Sequence, residues 1–434
     1  MDAVLLIDHQ PIASPAGVVV RALLTISGQV PAHRQRPPLA LSLVLDRSGS
    51  MDGERLEAAK AASVSAVQRL HPDDVVSVIA FDHLVRVVAP PAPRSSQLNL
   101  MQEVNALDSG GNTNLSGGWL RGRQHMEEAR EMLGSLEGSS CRVVLLTDGL
   151  ANVGIVDPSM LVELARTART QGITTTTIGV GEGYDDDLLR AMADAGGGNS
   201  WYVERPDQAQ DVLAEELGNL LSVSAQGLTV TLTMEEAVTV FATHSSWPGT
   251  TLNHTITFDL GDLYASEPKP VLFELFVPAD RLDALASVGA KIATLVVRAD
   301  VLLEGSGVEQ RTITLGVAAS MDTQSSLVPA VEHAVLLARV AKAREEAARR
   351  QRSGDAEEAE QIMRSASSLL MQSDLTNDPA YATELQKSAR DLMALAERYA
   401  ERNFSEIEAK YQMQRSYNTR RGKSRNDDVL RREP

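Results

Sequence analysis

Cysteine is nearly absent from this chain: Cys141 stands alone among 434 residues. One thiol excludes an intramolecular disulfide framework and any paired-cysteine metal spacing, and it suits a reducing compartment. Cys141 opens an apolar run, where a small buried hydrophobe is the expected role. No apolar run approaches membrane-spanning length, although 43% of the residues are hydrophobic, a combination that reads as soluble and globular. The first ten residues lack a basic segment followed by an apolar stretch and a small-residue cleavage site, so a cytoplasmic location is expected. Positive charge is in deficit: the net charge of −17 argues against general nucleic-acid binding, which rests on phosphate neutralisation. Lysine is rare beside arginine, 7 against 34, and with abundant alanine this usage suits a GC-rich bacterial genome.

Catalytic signatures are missing too. There is no His-Glu-x-x-His, no Gly-x-x-x-x-Gly-Lys-Ser/Thr and no Gly-x-Ser-x-Gly. Gly179, Gly181 and Gly183 follow a β-rich run, but at the wrong spacing for a dinucleotide loop; a flexible turn is the better reading. The eight histidines share no local spacing, and Trp119, Trp201 and Trp247 read as packing groups.

What is present is order of two kinds. From residue 39 to 222, short apolar or β-branched runs (LALSLVLD, VVSVIAFD, CRVVLLTD, TTTTIGVG) alternate with segments of helical periodicity. Continuous apolar strands alternating with helices predict a mainly parallel sheet covered on both faces, with ligands bound in loops at the carboxyl ends of the strands. Residues 226–317 change character: runs such as LTVTLTM, TITFDL, VLFELFV and QRTITLGV are β-rich, several alternate, and turn residues separate them, which predicts an antiparallel sandwich. Residues 17–27 (GVVVRALLTIS) form one strand with no local partner, so they are expected to join that sandwich, with the α/β region inserted into it. Beyond residue 323 the pattern is helical, a hairpin or small bundle. The fold class is therefore α/β, a doubly wound sheet inserted into a sandwich and followed by helices. The division reads 1–37 (strand joining the sandwich), 38–223 (α/β domain), 224–320 (sandwich), 321–414 (helices) and 415–434, a basic tail expected to be disordered.

At the end of the first buried strand stands Asp46-Arg47-Ser48-Gly49-Ser50. In extended backbone, residues two apart face the same way, so Asp46, Ser48 and Ser50 can converge above the sheet edge. Gly110-Gly111-Asn112-Thr113-Asn114 and Thr147-Asp148-Gly149 fall in equivalent loops. Other roles exist for each: Ser48 and Ser50 as helix caps, Thr113 as an ordinary loop residue, Asp148 as turn chemistry. Asp52 and Asp108 read as turn or cap residues, and Asn152 falls outside the constellation.

Taken together, these segments resemble the von Willebrand factor A family, the fold of integrin inserted domains. Its metal-ion-dependent adhesion site uses Asp-x-Ser-x-Ser, a Thr and an Asp, matched here by Asp46, Ser48, Ser50, Thr113 and Asp148. The resemblance covers residues 39–223 and implies a Rossmann-like sheet and a Mg²⁺ site, with Mn²⁺ or Ca²⁺ as substitutes. By analogy Ser48 and Ser50 bind the metal directly, Thr113 directly or through water, and Asp46 and Asp148 mainly through water or by orienting the hydroxyls. The strand-rich region resembles the β-domain that accompanies such modules in bacterial intracellular proteins and in inter-alpha-inhibitor heavy chains. The resemblance implies an adaptor-type protein, not an enzyme, whose metal captures an Asp or Glu of a partner. A complex with a MoxR-type AAA+ ATPase is one such partner; neither nucleic acid nor membrane is expected. The alternatives are a metal-dependent hydrolase, against which stands the lack of a candidate general base with an orienting partner near the loops, and a scaffold with a vestigial site.

Overall fold

The computed structural model describes residues 1–11, 17–29, 37–134, 138–181, 183–265, 267–280, 291–303, 307–318, 327–401 and 404–423. Two strands open the chain, β1 (Asp2–Pro11) and β2 (Gly17–Ser27). An α/β unit follows: β3 (Leu39–Asp46), α1 (Glu54–Arg69), β4 (Val75–Phe81), β5 (Val85–Pro93), α2 (Leu100–Asn105), α3 (Leu115–Leu133), β6 (Ser140–Thr147), α4 (Pro158–Thr170), β7 (Ile173–Val180), α5 (Asp186–Ala195), β8 (Gly197–Val203) and α6 (Ala209–Leu221). The strands form one sheet in the order β5-β4-β3-β6-β7-β8, parallel except for β5.

Sequence explains this sheet directly. β3, β4 and β7 are buried along their whole length, which is why they read as unbroken rather than alternating runs. Side chains of α1, α2 and α6 close one face, and those of α3, α4 and α5 close the other. The four threonines of β7 survive burial because several spend their hydroxyls. Thr176 donates to Glu216 at 2.7 Å and Thr177 to the Leu189 carbonyl at 2.9 Å. From β3 the chain runs to β4 on one side, while β6 takes the other side, so the loops after β3 and β6 flank the crevice where such sheets bind ligands.

The sandwich comes next: β9 (Val223–Met234), β10 (Thr239–Thr243), β11 (Gly249–Leu252), β12 (Thr255–Tyr264), β13 (Lys269–Pro278), β14 (Lys291–Leu302) and β15 (Val308–Ala318). Its two sheets run β1-β2-β13-β10 and β11-β12-β9-β14-β15. β2 lies antiparallel to β13, with Val20 opposite Leu275 and Leu24 opposite Val271. Val20, Ala22, Leu24 and Ile26 share a core with Val230, Leu232, Phe273 and Leu295. The α/β unit is thus inserted between β2 and β9. The N-terminal segment holds one strand more than the sequence suggested: β1 pairs along the outer edge of β2. Its Asp8 is buried against Arg21, which also bonds Glu332.

Four helices close the described chain: α7 (Pro329–Arg352), α8 (Ala356–Met371), α9 (Ala382–Ala400) and α10 (Glu406–Arg420). Here the expectation of a disordered tail from residue 415 is corrected. α10 continues to Arg420, and Ser416, Tyr417, Asn418, Arg421 and Lys423 are buried. Charge there is paired, not solvated: Tyr417 and Arg421 bond Asp194 at 3.0 and 2.7 Å, and Lys423 meets Glu267 at 3.3 Å and Asn199. Residues 424–434 of that expected tail lie outside the described residues. No described helix is long and apolar enough to cross a membrane.

Candidate metal centre

Asp46 ends β3 fully buried, and its carboxylate accepts bonds from the Ser48 backbone N–H at 2.8 Å and from the Thr147 hydroxyl. Burial is the largest influence on this group and pushes its pKa up to about 6; the two hydrogen bonds pull the other way, and the neighbouring Asp148 adds to the rise. The Ser48 and Ser50 hydroxyls lie 3.2 Å apart. Ser50 Oγ donates to Asp148 Oδ1 at 2.7 Å, and Arg55 donates to Asp148 Oδ2 at 2.6 Å. The loops after β3 and β6 are therefore joined through side chains.

The third loop is fixed by backbone. Gly49 N–H donates to the Gly111 carbonyl at 2.9 Å, and Gly110 N–H to the Arg47 carbonyl at 2.6 Å. Thr113 N–H donates to Asn152 Oδ1 at 2.8 Å, while Asn152 N–H returns a bond to the Thr113 carbonyl at 3.2 Å. Gly149 makes the close approach possible. A Cβ there would fall 2.8 Å from Thr113 Oγ1 and 3.5 Å from Asp46 Oδ2, so only glycine leaves the space above these oxygens open.

All five residues singled out from sequence thus meet at one end of the sheet. Ser48 makes no side-chain capping bond to the short turn that follows it, and α1 is preceded by Gly53, so capping does not account for the serines. Asp148 spends its carboxylate on Ser50 and Arg55, not on its own turn. Asp52 accepts from Ser109 at 2.6 Å, and the Asp108 carbonyl accepts from Arg47 at 3.0 Å, both loop-stitching roles.

Sequence reasoning missed four supporting residues. Asn152 holds Thr113, and Thr147 holds Asp46. Arg55 meets Asp148. Asp82, just past β4, accepts from Leu84 N–H at 2.7 Å, Gly111 N–H at 3.3 Å and Arg47 at 2.8 Å. A signal for Asp82 existed: like Asp46, it stands at the carboxyl end of a fully buried, mostly apolar strand.

The donor chemistry discriminates between ions. Among the described residues, no three His, Cys, Asp or Glu side chains gather as metal ligands. The cluster offers three hydroxyls and two carboxylates, hard oxygen donors with too few charges for a calcium cage, and these suit a small cation that keeps several waters. The residues present fit the ion that the resemblance implies.

Residues 41–215 match the sequence profile of the von Willebrand factor type A domain. The chain carries a von Willebrand factor type A domain. Protein sll0103 of Synechocystis sp. is 32% identical over 210 residues, 48% of this chain and 48% of that protein. Human inter-alpha-trypsin inhibitor heavy chain H3 is 31% identical over 159 residues, 36% of this chain and 18% of its own length. The chain thus spans about half of the first relative and under a fifth of the second. A solved structure, the von Willebrand factor type A protein from Catenulispora acidiphila, superposes with a TM-score of 0.66 at 19% identity, covering 89% of both chains. That likeness concerns fold, and it extends well past the A domain into the sandwich and helices.

Proposed function

We propose that this chain captures a partner protein by closing a divalent cation, Mg²⁺ in the first instance, between its A-domain loops and an acidic side chain of that partner. Domains of this family are protein-interaction modules in general. The observation that carries the reading is the convergence of Asp46, Ser48, Ser50, Thr113 and Asp148 on the space left open over Gly149. Neutral hydroxyl ligands leave a bound Mg²⁺ strongly electropositive, so an external carboxylate completes its shell favourably.

One carboxylate–metal contact is too small to specify a partner, and the rim supplies the rest. Leu84 and Leu150, in the loops after β4 and β6, are 61% and 55% exposed and offer apolar contacts beside the metal position. Capture rather than turnover is the proposed role: the Ser50 and Thr147 hydroxyls donate to Asp148 and Asp46, carboxylates that the proposed metal site itself uses, which leaves neither pair free to act as nucleophile and base. A cytoplasmic assembly is the proposed setting, with a MoxR-type AAA+ ATPase complex as one candidate of suitable chemistry.

Calorimetry tests the metal: wild type should bind one Mg²⁺ or Mn²⁺, and Ser48→Ala with Asp148→Ala should bind none. Partner recovery from lysate should be lost in that variant and in EDTA. Partners retained under both treatments would reject the metal as the recognition element. Metal-dependent hydrolysis lost in the same variant would favour an enzyme instead.

A further inference from the structure

Nine residues beyond Asp46, in the first turn of α1, stands Arg55. A cation there opposes the positive end of the helix dipole, so its position calls for a compensating anion. That anion is Asp148: Arg55 Nη1 donates to Oδ2 at 2.6 Å and to the Ser50 carbonyl at 3.2 Å. The guanidinium also lies against Gly181, where a Cβ would come within 3.3 Å of Nη2 and 3.4 Å of Cζ. The loops after β3 and β6 therefore hold the guanidinium, and Gly181 at the end of β7 leaves room for it. The same carboxylate belongs to the proposed metal site, and its other oxygen already accepts from Ser50.

We infer that Arg55 competes with a divalent ion for Asp148. Asp148 is fully desolvated beside the buried Asp46, and two such carboxylates need a neighbouring positive charge. The guanidinium supplies it from the rim, at 38% side-chain exposure. An arriving dication and this guanidinium repel each other and draw on the same carboxylate, so Arg55 turns out toward solvent as the metal settles. The site then binds metal less tightly than its five ligands alone would. A partner carboxylate arriving at the metal meets the freed guanidinium as well, which makes metal and partner binding mutually reinforcing. This deepens the metal reading and rests on it.

The experiment compares wild type, Arg55→Gln and Arg55→Lys by Mn²⁺ calorimetry and by thermal unfolding in EDTA and in saturating Mn²⁺. Removing a nearby positive charge should tighten Mn²⁺ binding about three- to tenfold in Arg55→Gln. The same variant should melt below wild type in EDTA and regain most of the difference with Mn²⁺. Arg55→Lys keeps the charge and should stay close to wild-type affinity. Equal or weaker Mn²⁺ binding by Arg55→Gln would overturn the competition while leaving the metal site standing. Absence of Mn²⁺ binding by all three folded proteins would overturn the metal reading itself, and this inference with it.

Discussion

Arg142 of β6 and Asp262 of β12 face each other at 3.0 Å across the junction between the A domain and the sandwich, both buried. Arg142 turns its other nitrogen to Glu216 of α6, also at 3.0 Å, and Glu216 further accepts from Thr176, Asn199 and Trp201. One guanidinium thus binds a helix of the inserted domain to a strand of its host. Removing Asp262 leaves Arg142 with Glu216 but without its bond across the junction. Asp262→Ala should cost about 1.5–3 kcal/mol, read as a lower denaturation midpoint. A loss under 1 kcal/mol would show that the junction carries no such strain.

Acid should loosen the same junction. Burial alone would raise the Glu216 pKa, but Arg142 and the bonds from Asn199 and Thr176 outweigh it and hold the group below its ordinary value of 4.5. A depressed carboxylate contributes stability that is fully present above the unfolded value and lost as pH falls through the folded one. Unfolding free energy should therefore drop as pH falls below about 4.5. Glu216→Gln should be weaker at pH 7 and show a shallower acid slope. Parallel pH profiles for the two proteins would contradict this.

Gly149→Ala separates the metal site from the fold. The added methyl would sit 2.8 Å from Thr113 Oγ1, in the space proposed for the ion, while the surrounding sheet is untouched. Calorimetric Mn²⁺ binding should disappear, and circular dichroism should match wild type. Undiminished binding would place the ion elsewhere.

The C-terminal helix should stabilise the A domain measurably. Tyr417 and Arg421 both reach Asp194 at the end of α5. Tyr417→Phe combined with Arg421→Ala should cost about 1–3 kcal/mol, seen in urea titration. An unchanged midpoint would mean that α10 merely rests on the surface.

Much of this was legible in the residues. The nearly continuous apolar runs of β3 and β4 announce a covered parallel sheet, and the alternation in β9 announces a half-solvated one, because strand burial writes its period into the sequence. Asp46, Ser48 and Ser50 were legible because ligands two apart on extended chain share a direction. β1 was harder to see, since DAVLLIDHQP has little turn chemistry or alternation to frame it. α10 was illegible for a deeper reason. Its buried face holds Lys410, Gln412, Gln414 and Asn418, and such residues pattern as solvent-facing until their partners, some two hundred residues away, are known. Lys410 donates to the Tyr184 carbonyl and Gln414 to that of Ser200. Arg55 escaped similarly: only the folded loops bring it to Asp148.

The join between α6 and β9 limits how the A domain can signal. The helix ends at Leu221 and the strand begins at Val223, in the interior of a sheet between β12 and β14. A piston stroke of one helical turn, about 5.4 Å, would drag β9 past both neighbours by one to two residues. A slip of one residue would turn Leu228, Val230 and Leu232 out of the core they share with β2. The sandwich therefore acts as a ratchet stop on α6. An arriving ligand is therefore not reported by a sliding helix: α6 is stopped at β9 and held again where Arg142 joins its Glu216 to Asp262 of β12.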